Sequence, residues 1–398
     1  MKSTTFMKRL RLSYLVAIMI GSTLLISCRH DEPTVTPASE VEQQMKEMTL
    51  REKVGQLFCI RPEALDTTIH WTSPAADLMP LETQEVNSMM YAVNKRYPVG
   101  GVILYAWNIK DEAQLGRFVS QLKSLNGSPL LCIDEEGGRV ARIANNDNFD
   151  VKKYESMAAI GATGDPANAF ECGSTIGSYL HKYGFDIDFA PVADVNTNPE
   201  NIIIGARAFS DDPHVAAPMV TGYLQGLKDA GITGCIKHFP GHGDTQADTH
   251  YGYAQSMKTW AQMDTCEMIT FRAGIRWGCQ LIMTAHISAP NVTGTDIPAT
   301  MSSIFLQDKL RRELGYQQII ITDAMEMGAI TMQYSNVEAT IGCIQAGVDI
   351  ILCPHNFIEA FDAVVAAVEN GTISQARLDE SVRRILLLKK QIRNESYN

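Results

Sequence analysis

The chain has 398 residues, of which 45% are hydrophobic and 20% charged, and a formal net charge of −11. That is enough apolar material for two domains or one large barrel, and it excludes a disordered or fibrous chain. The acidic balance argues against nucleic acid or anionic lipid headgroups as partners.

The N-terminus stands apart from this composition. Lys2, Lys8, Arg9 and Arg11 precede an apolar run from Leu12 to Ile26, which ends in Leu25-Ile-Ser-Cys28. A charged start, a short hydrophobic stretch and a small residue before the cut predict an export signal over 1–27, and the run is too short for a spanning helix. Leu-Ile-Ser-Cys resembles a bacterial lipobox, which would make Cys28 the lipidated first residue of the mature chain; an uncleaved anchor helix is the alternative. Residues 28–40, with Pro33 and Pro37, read as a tether, and 41–398 as one folded domain. The expected product is a monomeric exported lipoprotein, sorted to the outer membrane, with its periplasmic or surface face left open. Cys59, Cys132, Cys235 and Cys353 each lie in an apolar run, where a thiol acts as a small hydrophobe, and no Cys-x-x-Cys spacing suggests zinc.

In chain order, Val41 to Lys53 has helical spacing, with Thr49-Leu-Arg-Glu52 resembling a capping box. Apolar strand-like runs follow at Val54–Ile60, Gly101–Tyr105, Pro129–Ile133, Asp186–Val192, Ile232–Ile236, Leu281–Ala285, Gln318–Thr322 and Asp349–Cys353. Helical segments lie between and after them, at Glu112–Leu125, Ala167–Tyr183, Val215–Ala230, Trp260–Trp277, Ile304–Leu314, Val337–Ala346, Phe357–Glu369 and Gln375–Lys390. Apolar strands alternating with helices imply a parallel sheet covered by helices. The α/β pattern therefore predicts a single (β/α)8 TIM-like barrel with insertions, with a doubly wound sheet as the rival. Polar residues follow the runs: Asp134-Glu-Glu136 the third, Asp194 the fourth, Lys237-His238 the fifth, His286 the sixth, Asp323 the seventh and His355 the eighth. In a barrel these ends converge on one mouth, where barrel enzymes keep their active sites.

The densest chemistry lies between Lys237 and His250, a stretch that holds three of the chain's nine histidines together with Asp244 and Asp248. Pro240, Gly241 and Gly243 forbid a helix there. A strand end would hold Lys237 and His238 fixed, while a loop able to change shape would carry Asp248 and His250. His238 and His242 have i, i+4 spacing, but Pro240 and Gly241 between them rule out a shared helix face, so no metal site is expected. No phosphate-cradling P-loop or G-x-G-x-x-G is present, and no nucleotide cofactor is expected.

Lys-His-Phe-Pro-Gly-His-Gly-x4-Asp-Thr-His resembles the signature of glycoside hydrolase family 3, in its branch of single-barrel β-N-acetylglucosaminidases. The resemblance extends through Met48–Phe58, Asp134–Arg142, Asp188–Asn196, Gly205–Ser210 and Ile321–Met327. It implies a retaining double displacement with Asp323 as the nucleophile, His250 as the general acid/base and Asp248 orienting it. It also implies that Asp134 holds the sugar hydroxyls furthest from the scissile bond, with Arg142, Arg207, Lys237 and His238 completing the pocket. The implied substrate is a glycan ending in N-acetylglucosamine. An imidazole in the acid/base role suits proton transfer near neutrality, whereas most glycosidases use a second carboxylate.

Each of these residues also has a plainer reading. Arg142 or Arg207 would serve as a structural ion-pair partner, His238 as a satisfied strand-end histidine and His242 as a loop former. Ala324 stands where many relatives have a second acid, and Asp66–Tyr97 is a long excursion between the first two strands. Rival functions are a glycoside phosphorylase, since a histidine would not repel incoming phosphate, and a non-catalytic glycan-binding lipoprotein.

Overall fold

The computed structural model of the protein describes residues 36–68, 82–245 and 254–395. The leader and Cys28 lie outside them. The chain divides into two units, Met1–Thr36 and Pro37–Asn398, and the second carries every described element.

Eight parallel strands form the centre: β1 (Phe58–Ile60), β2 (Gly101–Leu104), β3 (Leu130–Ile133), β4 (Ile187–Asp188), β5 (Thr233–Phe239), β6 (Leu281–Thr284), β7 (Ile319–Thr322) and β8 (Ile351–Leu352). Their spatial order is β8-β1-β2-β3-β4-β5-β6-β7. The two ends then meet: Ile321 bridges Ile350, Thr322 N–H donates to Ile350 C=O (3.0 Å) and Asp349 N–H to Ile320 C=O (2.8 Å). A parallel sheet whose first and last strands pair, with helices between strands, is the (β/α)8 barrel that the sequence predicts. The strand residues Ile319-Ile-Ile-Thr322 are buried throughout, because one face fills the barrel and the other meets the helices.

Helix starts follow capping chemistry. Asp165 and Asp212 each accept a backbone N–H, and each is followed by a proline at the first helical position, opening Pro166–Lys182 and Pro213–Asp229. Ser335 with Glu338 forms a capping box ahead of Asn336–Ala346.

Local differences from the sequence reading have local causes. The Thr49–Glu52 capping box starts a separate helix, Leu50–Gln56, so the first strand keeps only Phe58–Ile60 of the expected Val54–Ile60. The first helix begins at Pro37, ahead of the expected Val41. The fourth strand shrinks to Ile187–Asp188, since Pro191 has no N–H to give a ladder. Trp260–Trp277 is two helices, Trp260–Asp264 and Glu267–Trp277, broken where Cys266 leaves helical backbone (φ −135°, ψ −86°). Of the excursion Asp66–Tyr97, residues 69–81 lie outside the described residues, and the rest includes the helix Ser88–Arg96.

The base of the barrel, opposite the mouth, is tied by ions. Asp349, fully buried, accepts from Arg311 (2.7 Å), Arg384 (3.0 Å) and Ser381 (2.6 Å), which fastens the C-terminal helix Gln375–Glu395 to the strands. The same helix buries Lys389, whose ammonium donates to Gln56 Oε1 (2.7 Å) and Gly127 C=O (2.8 Å). The eight described cysteines are all unbridged; Cys59 and Cys132 face each other with their sulfurs 3.9 Å apart.

Burial pulls the Lys389 ammonium down to about 7 from its ordinary 10.5, with Arg393 lowering it further. The folded state therefore binds fewer protons here than the unfolded chain, and this residue's contribution to stability rises with pH between about 7 and 10.5. Urea unfolding of wild type and Lys389→Met across that window should show wild type gaining on the variant by up to about 1.4 kcal/mol per pH unit; a constant difference would mean that the buried amine does not titrate there.

Candidate active site

The mouth is assembled from the C-terminal ends of β3, β5 and β7. After β3 the chain runs Asp134-Glu135-Glu136, and alternation along extended backbone turns the first and third the same way and the second away. Asp134 and Glu136 accordingly share one cation: Lys237 Nζ lies 2.7 Å from Asp134 Oδ1 and 2.6 Å from Glu136 Oε1. Glu136 also takes both arms of the Arg207 guanidinium, at 2.8 and 2.7 Å. Asp134 takes Arg142 at 3.3 Å. Glu135 faces backwards and accepts the backbone N–H groups of Arg142 (2.5 Å), Ile143 (2.9 Å) and Ala144 (2.8 Å) and the Tyr179 hydroxyl (2.8 Å). It thereby folds the loop that presents Arg142.

Lys237 and His238 are consecutive, yet both reach this cluster. A regular strand would send them to opposite sides, but the β5–β6 register shifts between Ile236 and Phe239, and the irregularity turns both side chains to the mouth. His238 Nδ1 lies 2.7 Å from Asp194 Oδ2, and its Nε2 lies 3.3 Å from the Arg207 guanidinium. A carboxylate on one nitrogen and a guanidinium donor on the other assign the proton to Nδ1, in the neutral ring.

Lys237 and Glu136 are only 2% and 1% exposed, so their charge states decide what the site can do. Burial pushes the Asp134 and Glu136 carboxyls up, but Lys237 with Arg142 or Arg207 outweighs it and holds both below the usual carboxylate range. Burial pulls Lys237 down, and the two acids more than restore it. The cluster is thus fully ionised at neutral pH, three cations to two carboxylates, and presents donors and an acceptor pre-set for hydroxyl or amide groups.

Asp323 follows β7 and is half-buried, with its N–H on Thr284 C=O (3.0 Å) and its Oδ1 accepting Ala324 N–H (2.8 Å). Two histidines share its surroundings. His286 Nε2 donates to Ala324 C=O (3.0 Å), and burial holds its pKa below the ordinary value against the pull of the Asp323 charge. His242 is likewise lowered by burial. Its N–H donates to Asp194 Oδ1 (2.6 Å), and its Nδ1 lies 2.7 Å from Thr245 Oγ1. This loop packs so closely on Val195 that a Cβ on Gly243 would fall 1.9 Å from the Val195 carbonyl oxygen. Only glycine fits there.

Asp248 and His250 lie outside the described residues. The chain on either side of them is tied: Ser256 Oγ donates to Asp244 Oδ2 (3.2 Å), Lys258 reaches Glu267 (2.5 Å), and Ala254–Gln255 pairs with Ile287–Ser288 after β6.

Asp134, Arg142, Arg207, Lys237 and His238 therefore meet in one network, and Asp323 shares the mouth with them. The plainer readings hold alongside: Arg207 and Arg142 are ion-paired, and both His238 nitrogens are satisfied. Sequence reasoning missed Glu136, which links Lys237 to Arg207, and left Asp194 aside although it orients His238 and the His242 backbone. The signal for Glu136 was its two-residue spacing from Asp134.

The family model described as "Glycosyl hydrolase family 3 N terminal domain" matches residues 49–388. The chain belongs to glycosyl hydrolase family 3. Among similar proteins, Beta-hexosaminidase A of Pseudoalteromonas piscicida is 35% identical over 331 residues, 76% of this chain and 55% of that one. Beta-hexosaminidase of Nitrosospira multiformis is 35% identical over 269 residues, covering 66% and 75%. Among solved structures, a glycoside hydrolase family 3 beta-N-acetylglucosaminidase from Paenibacillus sp. str. FPU-7 superposes with a TM-score of 0.76 at 35% identity, covering 88% of this chain and 63% of that one. The chain thus spans little more than half the length of the Pseudoalteromonas protein and under two thirds of the Paenibacillus one.

In this family-3 barrel the two arginine pairs should differ in weight. Glu136→Gln leaves the buried Arg207 guanidinium without a carboxylate and Lys237 with Asp134 alone, and should cost about 3–5 kcal/mol, while Arg142→Lys, at a pair with side chains 24% and 16% exposed, should cost under about 1 kcal/mol. Urea melts that rank the two variants the other way would refute the buried-charge account.

Proposed function

We propose that the protein is a retaining, exo-acting β-N-acetylhexosaminidase that releases terminal β-linked N-acetylglucosamine from a glycan. The observation that carries this reading is the ionised Asp134–Lys237–Glu136–Arg207 cluster at the same barrel mouth as Asp323. In it, Asp134 accepts sugar hydroxyls, while Lys237, Arg142 and Arg207 donate to hydroxyl or acetamido oxygens. An Asp323 oxygen attacks the anomeric carbon and forms the glycosyl-enzyme as the bond to the leaving oxygen breaks. His250, oriented by Asp248, protonates that oxygen and then takes the proton of the water that releases the sugar. The names of the similar proteins support the substrate class.

Cys28 and the leader support an exported, lipid-anchored enzyme of the outer membrane, and we propose that it acts as a monomer. Radiolabelled palmitate incorporated by wild type and equally by Cys28→Ala would end that part of the reading.

With a chromogenic β-N-acetylglucosaminide, Asp323→Ala should lose on the order of 10³-fold or more in kcat, and mass spectrometry of wild type quenched during turnover should find one N-acetylhexosaminyl group on the peptide containing Asp323. Equal rates would remove Asp323 from the mechanism. In phosphate buffer the product should be the free sugar; mainly sugar 1-phosphate would make the enzyme a phosphorylase, and no wild-type turnover would favour a glycan binder.

A further inference from the structure

Three residues past Asp323, and outside the cluster just described, stands a second buried ionic group. Glu326 Oε2 lies 2.9 Å from the Arg61 guanidinium, with side chains 11% and 8% exposed. Arg61 follows β1, so this pair ties the segment after β7 to the segment after β1, across β8.

The groups facing Glu326 come from three elements. After β1 come Arg61 and Glu63, the latter fully buried with Asn108 Nδ2 2.5 Å from its Oε1. After β2 comes Tyr105, and after β8 comes Cys353, whose thiol lies 3.8 Å from the Tyr105 hydroxyl. Both Tyr105 and Cys353 feel the Glu326 charge. One guanidinium charge thus acts on two buried carboxyls, an arrangement in which one acid is ionised only at a cost.

The backbone from Asp323 to Glu326 links this group to the mouth. His286 Nε2 holds the Ala324 carbonyl, Ala324 N–H holds Asp323 Oδ1, and Met325 N–H donates to Leu352 C=O (2.9 Å). Each of these fastenings holds a backbone group of the run, and the ion pair at Glu326 is the next one along the chain.

We infer that Glu326 is a positioning residue: ionised and paired with Arg61, it sets the segment that carries Asp323, and its protonation loosens that segment and lowers turnover. The inference rests on Asp323 as the nucleophile. Burial pushes the Glu326 carboxyl up to about 7, with Arg61 pulling it down and Glu63 pushing it up. The pair is therefore broken below about pH 7 and formed above it.

The test is the pH profile of kcat for wild type and Glu326→Gln on a chromogenic β-N-acetylglucosaminide from pH 5.5 to 8.5. The ratio of wild type to variant should be near 1 at the acid end and climb to on the order of tenfold at the alkaline end. A merely structural glutamate would give the same ratio throughout, and that result overturns the inference. Arg61→Gln should reproduce the profile, and the double variant should be no slower than the slower single; additive losses count against the pair. Carbon-13 titration of the wild-type glutamate carboxyls, assigned by through-bond correlation to the backbone, should give Glu326 a midpoint near 7, and one near the ordinary 4.5 overturns the inference even if the variants misfold. No wild-type turnover at any pH sinks the glycosidase reading and this inference with it, whereas turnover with a flat ratio sinks this inference alone.

Discussion

The buried carboxylate of Glu136, bonded to Lys237 on one side and to both arms of Arg207 on the other, is the constraint on which the mouth depends. An ammonium and a guanidinium could not be brought so close inside a protein without an anion between them. Once Glu136 provides it, Lys237 is free to present its remaining donor capacity to Asp134, and Arg207 to His238. The five charges then hold one another in place before any substrate arrives. A site that recognises a neutral ligand by hydrogen bonds gains from such an arrangement, since donors and acceptors already fixed by their own partners need little reorganisation on binding.

The barrel divides its work between its two ends. At the base, Asp349 gathers Arg311, Arg384 and Ser381, closing the last helix onto the strands, and the gain there is stability. At the mouth similar charges are arranged so that Asp134 and Arg142 remain partly turned towards open space. The contrast appears in exposure: Asp349 is wholly buried, whereas the Asp134 side chain keeps 16% of its surface and that of Arg142 24%. Buried ionic groups at one end lock the fold, and partly open ones at the other can meet a ligand.

The barrel was legible because its strands are apolar on both faces, as at Ile319–Thr322, and because polar residues follow them in register. Element edges were less so. Val54 to Gln56 is buried like the strand it precedes, and the capping box of Thr49 and Glu52 places it in a helix. In the site, the family motifs picked out Asp134, Arg142, Arg207, Lys237 and His238, which the fold gathers. Nothing in the order of residues said that Glu136 would bridge two cations or that Glu326 would reach back to Arg61, since partners 71 and 265 positions away are fixed only by strand closure.

Eight thiols in the described fold stand without a single bridge, and most are sealed among strands and helices. Their burial raises the cost of the thiolate, which is the form that exchanges or oxidises. Folding of this barrel consequently asks nothing of an oxidising compartment or a disulfide-forming catalyst. Chain made in a reducing cytoplasm has every interaction that the described fold uses.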